Sequence, residues 1–329
     1  MSLFAAIGRY GRYGYASLEE ELANRLGTGT LQFYPAGSGR IALHHLAKHL
    51  RPRLKSGKAL IPDYLCNVVP QALEKAGISV QTYPLDSNFE GDPVLIRNLI
   101  SDQKIGLLLT ASLFGSSASL VDLDNPEMRA FLLAHQVFTV VDLCQDLTLR
   151  RFLPAGYGDQ LAAVLSFNNK SIPGMMGGGV LSTFAIPDMP LSPSLAQRIA
   201  LLGEYRAARA FRLRQRLPTL GRDFEYSFCR EFPYTLAPYR LTRLQLMIAL
   251  FELDRLVPRN RHRQSTLSEN RACFREMPFG DTSPYLIGAG NPAALPADLP
   301  RKKSYALPDQ PQESLRPDLL IFHNFGEPR

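Results

Sequence analysis

The sequence predicts an α/β fold with a mostly parallel sheet flanked by helices, followed by a smaller, shortened C-terminal α/β domain. The chain has 329 residues, of which 45% are hydrophobic and 20% charged, so it can bury a sizeable hydrophobic core. Continuous apolar runs alternate with segments of helical spacing, which is typical of parallel strands that are covered on both faces.

The strands are predicted from apolar or β-branched runs. These runs are KALIP (58–62), ISVQTY (78–83), IGLLLT (105–110), VFTVV (137–141), AAVLSF (162–167) and GGVLST (178–183). Helices are predicted between them at 38–50, 67–77 and 125–135. Ser38 can cap the first helix, Gly77 closes the second, and Pro126 begins the third. Ligands of such sheets bind beyond the carboxyl ends of the strands, so the residues after each strand are the candidates for chemistry.

The composition divides the chain into three parts. We expect an N-terminal arm at 1–30, a large α/β domain at 31–195, and a helical connection with a small C-terminal domain at 196–329. Arginine-rich helical stretches run to about Met277 and include LTRLQLMIALFELDRLV. The remainder is rich in Pro and Gly, and DLLIFH is its only convincing strand.

The net charge of +7 comes from one region of the chain. Between Arg206 and Arg263 there are thirteen arginines but only five acidic residues. Solvated helix faces or an interface explain most of these arginines, and a diphosphate substrate could be attracted by the others. Because no nucleic-acid reader motif accompanies them, we expect no nucleic-acid partner.

Other features of the composition concern the cellular compartment. The chain has no run of 18 apolar residues and no secretory leader, so we expect a cytoplasmic protein with no membrane partner. The four cysteines are widely spaced and form no CxxC pair, which favours reduced thiols. They give no indication of a metal site.

The sequence Gly-Ser-Gly-Arg at 37–40 forms a turn that leads into the first predicted helix. Backbone N–H groups at a helix N-terminus bind anions, and glycines let a phosphate approach the backbone closely. An ordinary capped helix explains the same residues more simply, so the turn alone does not establish an anion site.

Two charged residues follow predicted strands. Asp142 comes directly after VFTVV, where a carboxylate needs a cationic or hydrogen-bonding partner; a helix N-cap and a structural salt bridge are open alternatives. Lys170 follows AAVLSF and is a candidate Schiff-base nucleophile, although surface lysines are far commoner. The glycine-rich residues at 174–179 allow close approach to a ligand or form a plain turn.

Together these features match the requirements of pyridoxal phosphate. The cofactor needs a phosphate site, a carboxylate that keeps its ring nitrogen protonated, and a lysine that binds its aldehyde. The turn at 37–40, Asp142 and Lys170 provide these groups within one α/β domain.

At these segments the sequence resembles the DegT/DnrJ/StrS family of sugar aminotransferases, which are pyridoxal phosphate enzymes of fold type I. The resemblance runs from about Phe33 to Asn270. SGRIAL is similar to the family's SGTxAL phosphate turn, VVDLCQD to its EDxxQ motif, and SFNNKSIPGMMGGGVLS to its lysine segment with a Gly-Gly pair. Two more segments, IPDYLCNVVPQALEKAGISVQTYPLD and YRLTRLQLMIALFELDRL, resemble family segments.

The resemblance implies a role for each motif residue. Lys170 would bind the cofactor aldehyde, Asp142 would pair with the pyridinium nitrogen, and Gln145 would lie near the phenolic oxygen. The large domain would hold the cofactor, and the family's sites, built between two subunits, imply a homodimer.

The resemblance also implies how the cofactor is held at its two ends. The phosphate would be bound by Ser38, Gly39, Arg40 and Ser166. Tyr64 would stack on the ring, and Cys66 is the alternative match to the family's usual stacking position.

Several residues depart from the family pattern. Lys170 is only four residues after Ser166, and Arg40 stands where Thr is usual. Ser112 replaces a frequent His, and Pro238 replaces an Asn that reaches the phosphate of the neighbouring subunit. The C-terminal domain, which helps to shape the substrate pocket in the family, is short.

The function implied is transfer of an amino group from an amino acid, glutamate by analogy, to a keto sugar. The acceptor would be nucleotide-linked, in surface polysaccharide or secondary-metabolite biosynthesis. The alternative is a catalytically weak homologue that binds cofactor or sugar as a structural or regulatory protein. Pro238, the altered lysine spacing and the short C-terminal domain suggest it. The presence of Lys170, Asp142 and Gln145 together favours the enzyme.

Overall fold

The structure is a computed structural model. It describes residues 2–66, 68–86, 89–113, 118–145, 147–167, 177–191, 199, 236, 238–256, 285–289, 301–302 and 319–323.

A seven-stranded sheet lies at the centre of the described structure. Its strands are β1 (Gln32–Ala36), β2 (Lys58–Pro62), β3 (Ser79–Tyr83), β4 (Leu107–Ala111), β5 (Phe138–Asp142), β6 (Leu161–Ser166) and β7 (Gly178–Ser182). Their order across the sheet is β1-β7-β6-β5-β4-β2-β3. Strands β2 to β6 are parallel, whereas β7 is antiparallel to both β6 and β1. The prediction of a mostly parallel sheet is therefore confirmed, with β7 as its antiparallel strand.

Helices cover both faces of this sheet. They are α1 (Ser2–Tyr10), α2 (Tyr15–Leu26), α3 (Gly39–Leu50), α4 (Val68–Lys75), α5 (Pro93–Gln103), α6 (Ala118–Asp124), α7 (Pro126–Ala134) and α8 (Arg243–Asp254). Each face has its own apolar core. On β5, Val140 belongs to the core beneath α3 and Val141 to the core beneath α2 and α8. Successive side chains of a strand point to opposite faces, so the continuous apolar runs in the sequence reflect burial on both sides.

Every predicted strand of the large sheet and all three predicted helices lie within about two residues of their expected bounds. The pattern missed β1, because Pro35 argues against a strand. In this sheet β1 is an edge strand that pairs only with β7, and an edge strand can accommodate proline. Helices α1, α2, α5 and α6 were also not predicted individually.

Helices α1 and α2, within the predicted N-terminal arm, are attached to α8 through the partly buried carboxylate of Asp254. Asp254 accepts hydrogen bonds from Tyr10 Oη at 2.8 Å and from Arg25 Nη1 at 2.6 Å. Arg9 pairs with the same carboxylate at 3.0 Å. The N-terminal residues are thus attached to a helix more than 200 positions away in the sequence.

The C-terminal part contains a three-stranded antiparallel sheet. Its strands are β8 (Tyr285–Ala289), β9 (Arg301–Lys302) and β10 (Leu319–His323), with β10 in the centre. Strand β10 confirms the prediction for DLLIFH, but the expectation of a single strand here was wrong. Strand β9 is only two residues long and both are charged, and a glycine interrupts β8. Neither strand therefore produces a continuous apolar run in the sequence.

The arginine-rich stretch lies largely outside the described residues, at 200–235 and 257–284, and α8 is the described part of its predicted helices. Among the described helices, none is long and apolar enough to cross a membrane.

Candidate active site

The turn between β1 and α3 carries the first group of candidate residues. Ser38 is the N-cap of α3, where its Oγ accepts a hydrogen bond from Ile41 N at 3.3 Å. Ser38 is buried and Arg40 is half-buried. The predicted cap is confirmed, and the N-terminal end of α3, where anions bind favourably, lies at the carboxyl edge of the sheet.

Gly39 brings this turn into contact with two other predicted site segments. A Cβ atom placed on Gly39 would lie 2.9 Å from Ser166 Cβ and 3.1 Å from Cys144 Sγ. A Cβ placed on Gly178 would lie 2.8 Å from the backbone nitrogen of Gly39. The helix N-terminus can therefore pack this closely on the ends of β6 and β7 only with glycine at position 39.

Asp142 is the last residue of β5, the strand next to β6. Its Oδ1 accepts a hydrogen bond from Cys144 N at 2.8 Å, and its carbonyl accepts from Ser112 N at 3.0 Å and Ser112 Oγ at 3.2 Å. The carboxylate makes no ion pair with the described residues and caps no described α-helix, so the two alternative roles are not observed there. Asp142 is half-buried, and the carboxylate is oriented by its own loop.

Gln145 and Ser166 complete the part of the site that the structure describes. Both side chains are buried, at 8% and 9% exposure. Gln145 follows Cys144, which packs beside Gly39, and Ser166 ends β6. The structure therefore gathers the β1–α3 turn, Asp142, Gln145 and Ser166 at one edge of the sheet.

The remaining predicted residues are placed differently. Tyr64 is 3% exposed, and its ring packs 5.5 Å from that of Phe89 in the core beneath α3. Cys66, the alternative stacking position, is half-buried. Lys170 lies outside the described residues, as do residues 171–176 of the glycine-rich segment.

Two contacts at this site were not predicted from the sequence. For Cys144 the sequence predicts only a reduced thiol, whereas the structure packs this side chain against the Gly39 turn. The ring of Tyr239 covers Gly37, and Gly37 N donates to the carbonyl of Tyr239 at 2.8 Å. The contact of Cys144 has a local signal in the sequence, because Cys144 stands between the candidate site residues Asp142 and Gln145. The contact of Tyr239 has none, because 202 positions separate Tyr239 from Gly37.

A second polar cluster lies at the same edge of the sheet, around a cavity of about 20 Å³ at the ends of β2, β3 and β4. Tyr83, Thr110 and Asp122 line it among apolar side chains. Thr110 Oγ1 is buried and makes no hydrogen bond to the described part of the chain. Burial and, secondarily, the charge of Glu90 raise the pKa of Asp122 to about 6.

Among the described residues, no group of three or more His, Cys, Asp and Glu side chains is arranged to hold a metal ion.

Solved structures share this fold. A DegT/DnrJ/EryC1/StrS aminotransferase from Brucella abortus matches with a TM-score of 0.60 and 15% identity, over 98% of this chain and 89% of that chain. Helicobacter pylori PseC, an aminotransferase of pseudoaminic acid biosynthesis, matches with a TM-score of 0.58 and 15% identity, over 89% and 76%. A GDP-4-keto-6-deoxymannose-3-dehydratase matches with a TM-score of 0.62 and 14% identity, over 98% and 92%.

These similarities confirm the predicted fold, which is that of the fold-type-I aminotransferases. Sequence comparison finds no matching family model and no matching curated protein. Because one fold supports many activities, the function of this chain has to be argued from its own site residues.

Proposed function

We propose that this protein is a pyridoxal-phosphate-dependent aminotransferase that acts on a keto sugar. The amino donor would be an amino acid, most simply glutamate, and the acceptor a nucleotide-linked keto sugar of surface polysaccharide or secondary-metabolite biosynthesis. One observation carries the proposal: the glycine contact at position 39 seats the N-terminus of α3 against Ser166, one strand away from the carboxylate of Asp142.

The donor set suits the two charged ends of pyridoxal phosphate. A helix N-terminus with adjacent hydroxyls suits a phosphate, and Ser38, Gly39, Arg40 and Ser166 are the residues that would bind it. A side chain larger than hydrogen at position 39 would fill the space where this turn approaches β6. Asp142, whose Oδ1 is already fixed by Cys144 N, would accept a hydrogen bond from the protonated ring nitrogen.

Three further residues are assigned from the sequence resemblance. Gln145 would donate to the phenolic oxygen, and Tyr64 would be the aromatic neighbour of the ring. Since Tyr64 is almost fully buried against Phe89, contact with the ring would be made through an edge of Tyr64, or the position would be taken by Cys66. Lys170 would bind the cofactor aldehyde.

When bound, the cofactor would supply an electron sink for the carbanion that forms at the α-carbon of the amino acid. Asp142 would hold the proton on the ring nitrogen, which keeps that sink available. The amine of Lys170 would remove the proton from the α-carbon of the donor and return a proton to the cofactor's C4′ carbon, as a general base and then a general acid. The half-buried setting of Asp142 would strengthen its electrostatic interaction with the ring.

Other parts of the proposal concern the whole protein. We place the cofactor in the domain at 31–195, preceded by the N-terminal arm at 1–30 and followed by the helical connection and small domain at 196–329. The protein would be a cytoplasmic homodimer, in which Pro238 replaces the asparagine that reaches across the interface in the resembling family.

Amino-group transfer from glutamate tests the proposal. Protein loaded with pyridoxal phosphate is mixed with glutamate, and the 2-oxoglutarate released is measured in a single turnover. We expect close to one equivalent per chain for the wild type and for Lys48→Ala, an exposed lysine on α3, and none for Lys170→Ala. Full release by Lys170→Ala would contradict the mechanism, and cofactor binding without any release by the wild type would favour the catalytically weak homologue.

Product analysis separates amination from a related reaction. One structure with the same fold is a 3-dehydratase of a 4-keto sugar nucleotide, so removal of a hydroxyl group is a second candidate. The glutamate-treated protein is incubated with nucleotide-linked 4-keto sugars, and the products are analysed by mass spectrometry. Replacement of the keto oxygen by an amino group supports the proposal. Replacement of a sugar hydroxyl group by hydrogen, with the keto group kept and the nitrogen released as ammonia, supports the second candidate.

A further inference from the structure

The segment that precedes α8 lies directly against the β1–α3 turn. Gly37 N donates a hydrogen bond to the carbonyl of Tyr239 at 2.8 Å. A Cβ atom on Gly37 would overlap the ring of Tyr239, which is itself 4% exposed. Gly37 does not adopt a positive φ angle, so glycine is required here for space and not for backbone conformation.

Arg240 anchors this segment on two sides. Its Nη1 lies 3.1 and 3.2 Å from the two carboxylate oxygens of Glu19 on α2, and its Nη2 lies 2.7 Å from Asp188 Oδ2. Its Nε donates to Met189 O at 3.0 Å. The Arg240 side chain is only 17% exposed, so the pair with Glu19 is better shielded from solvent than an ordinary surface pair.

The next residues extend the anchor. Tyr15 Oη, also on α2, donates to Leu241 O at 2.9 Å. Thr242 and Gln245 then form a capping box that begins α8. The backbone on the C-terminal side of Tyr239 is therefore held by α2 and by the helix start.

We propose that Tyr239 is a positioning residue for the phosphate turn, and that the Arg240–Glu19 pair holds it in place. The ring would set the distance between Gly37 and the segment before α8. It would thereby fix the backbone position of residues 37–39. This inference rests on the proposed function, because the turn is the phosphate site of that proposal. It makes the N-terminal helix α2 a contributor to cofactor affinity although α2 does not supply a cofactor ligand.

A double-mutant cycle tests the steric part of the inference. Affinity is measured for Gly37→Ala, Tyr239→Ala and the double variant by absorbance titration with pyridoxal phosphate, and again by calorimetry with inorganic phosphate. Gly37→Ala is expected to weaken pyridoxal phosphate binding at least about tenfold in the wild-type background and less than about twofold in the Tyr239→Ala background. Thermal unfolding of the cofactor-free variants shows whether each remains folded.

Three outcomes decide the matter. A Gly37→Ala effect that is equal in both backgrounds, or absent in both, would overturn the inference while leaving the proposed function intact. Failure of the wild type to bind pyridoxal phosphate would overturn the proposed function, and the inference with it. Recovery in the double variant supports the inference even if Gly37→Ala alone is poorly folded, because the recovery itself reports on the contact.

A charge substitution tests the anchor. Glu19→Gln should weaken pyridoxal phosphate binding about three- to tenfold, because Arg240 loses one of its two carboxylate partners. Glu20→Gln is the matched control, since Glu20 is the exposed next residue on α2 and the charge change is the same. Equal affinities for the two variants would contradict a role of the Arg240–Glu19 pair in holding the turn.

Discussion

Asp142 and Asp122 lie at the same edge of the sheet in opposite surroundings. The carboxylate of Asp142 accepts a backbone hydrogen bond from Cys144 at 2.8 Å, and Cys144 packs against the β1–α3 turn. Asp122 lines an apolar cavity, and its carboxylate accepts no hydrogen bond from the described residues. Burial and then the charge of Glu90 raise the pKa of Asp122 to about 6. One carboxylate is organised for a charged partner, and the other is not.

This difference shows why position at a sheet edge is insufficient to identify a functional acid. A carboxylate that is to pair with a ring nitrogen has to be ionised and oriented before the partner arrives. The backbone hydrogen bond to Asp142 provides that orientation, whereas the surroundings of Asp122 favour its neutral form. The comparison therefore predicts that Asp142 matters for activity and Asp122 for stability.

The largest expected effect is on activity. Asp142→Asn should lower the rate of 2-oxoglutarate release from glutamate at least about 100-fold, because the amide cannot hold a proton on the ring nitrogen as a carboxylate does. Asp122→Asn makes the same chemical change in the other surroundings and should lower the rate less than about threefold. The two rates are compared in single turnovers at saturating pyridoxal phosphate. If both variants lost activity equally, the distinction between the two carboxylates would be wrong.

The next effect is on the pH dependence of stability. The folded-state pKa of Asp122 is raised above its unfolded value of 3.8 to about 6, so between these values the folded protein holds a proton that the unfolded chain has released. The stabilisation from Asp122 is therefore present below about pH 4 and is lost as the pH rises through 6. Between pH 4 and pH 7, the free energy of unfolding of Asp122→Asn should therefore rise by about 1 kcal/mol relative to that of the wild type. This value is reduced for solvent screening, because Asp122 is only half-buried.

Denaturant unfolding at several pH values measures this gain. Asp124→Asn is the matched control, because Asp124 is an exposed residue of the same helix. A difference between Asp122→Asn and wild type that does not change from pH 4 to pH 7 would show that Asp122 titrates as an ordinary surface carboxylate.

A third prediction concerns the cause of the raised pKa of Asp122. Glu90 contributes by charge repulsion, after the larger effect of burial. Glu90→Gln should therefore move the loss of stability to lower pH without abolishing it. Titration of the Asp122 carboxyl carbon by NMR in both proteins measures the shift directly, and a pKa that rises in Glu90→Gln would have the wrong sign for this explanation.

The smallest expected effect comes from the hydroxyl at position 110. Thr110 Oγ1 is buried beside the cavity with no hydrogen bond to the described residues. Thr110→Val replaces that hydroxyl by a methyl group of similar size and should increase the free energy of unfolding by about 0.5–1 kcal/mol. Thr183→Val is a useful contrast, since Thr183 Oγ1 donates to Leu161 O at 3.1 Å and its loss should destabilise the protein. Destabilisation by both variants would indicate that Thr110 has a polar partner in the cavity.

Much of the sheet could be predicted because each buried strand has a local signature. The runs KALIP and VFTVV correspond to β2 and β5 since burial on both faces removes polar residues from a strand. Strand β1 could not be predicted, because the tolerance for Pro35 depends on its edge position, which is a tertiary property. Helix α5, which the apolar pattern does not predict, nevertheless has a local signal, with Asp92 as a cap and Pro93 in its first turn.

The candidate site was predictable to the extent that its residues follow strands or begin helices. Ser38, Asp142 and Ser166 all do so, and the structure gathers their segments at one edge. The contact of Tyr239 with Gly37 could not be foreseen, because it depends on anchors between α2 and the residues before α8. The roles of Lys170 and Tyr64 remain predictions from the resemblance.

The most direct test of the central claim is chemical trapping of the cofactor on the protein. Purified protein is mixed with pyridoxal phosphate, its absorbance spectrum is recorded before and after glutamate, and a second sample is reduced with borohydride and mapped by peptide mass spectrometry. The proposed function predicts a visible absorbance band that bleaches with glutamate and a single modified peptide with the label on Lys170. Absence of the band, or a label spread over surface lysines with none on Lys170, would contradict it.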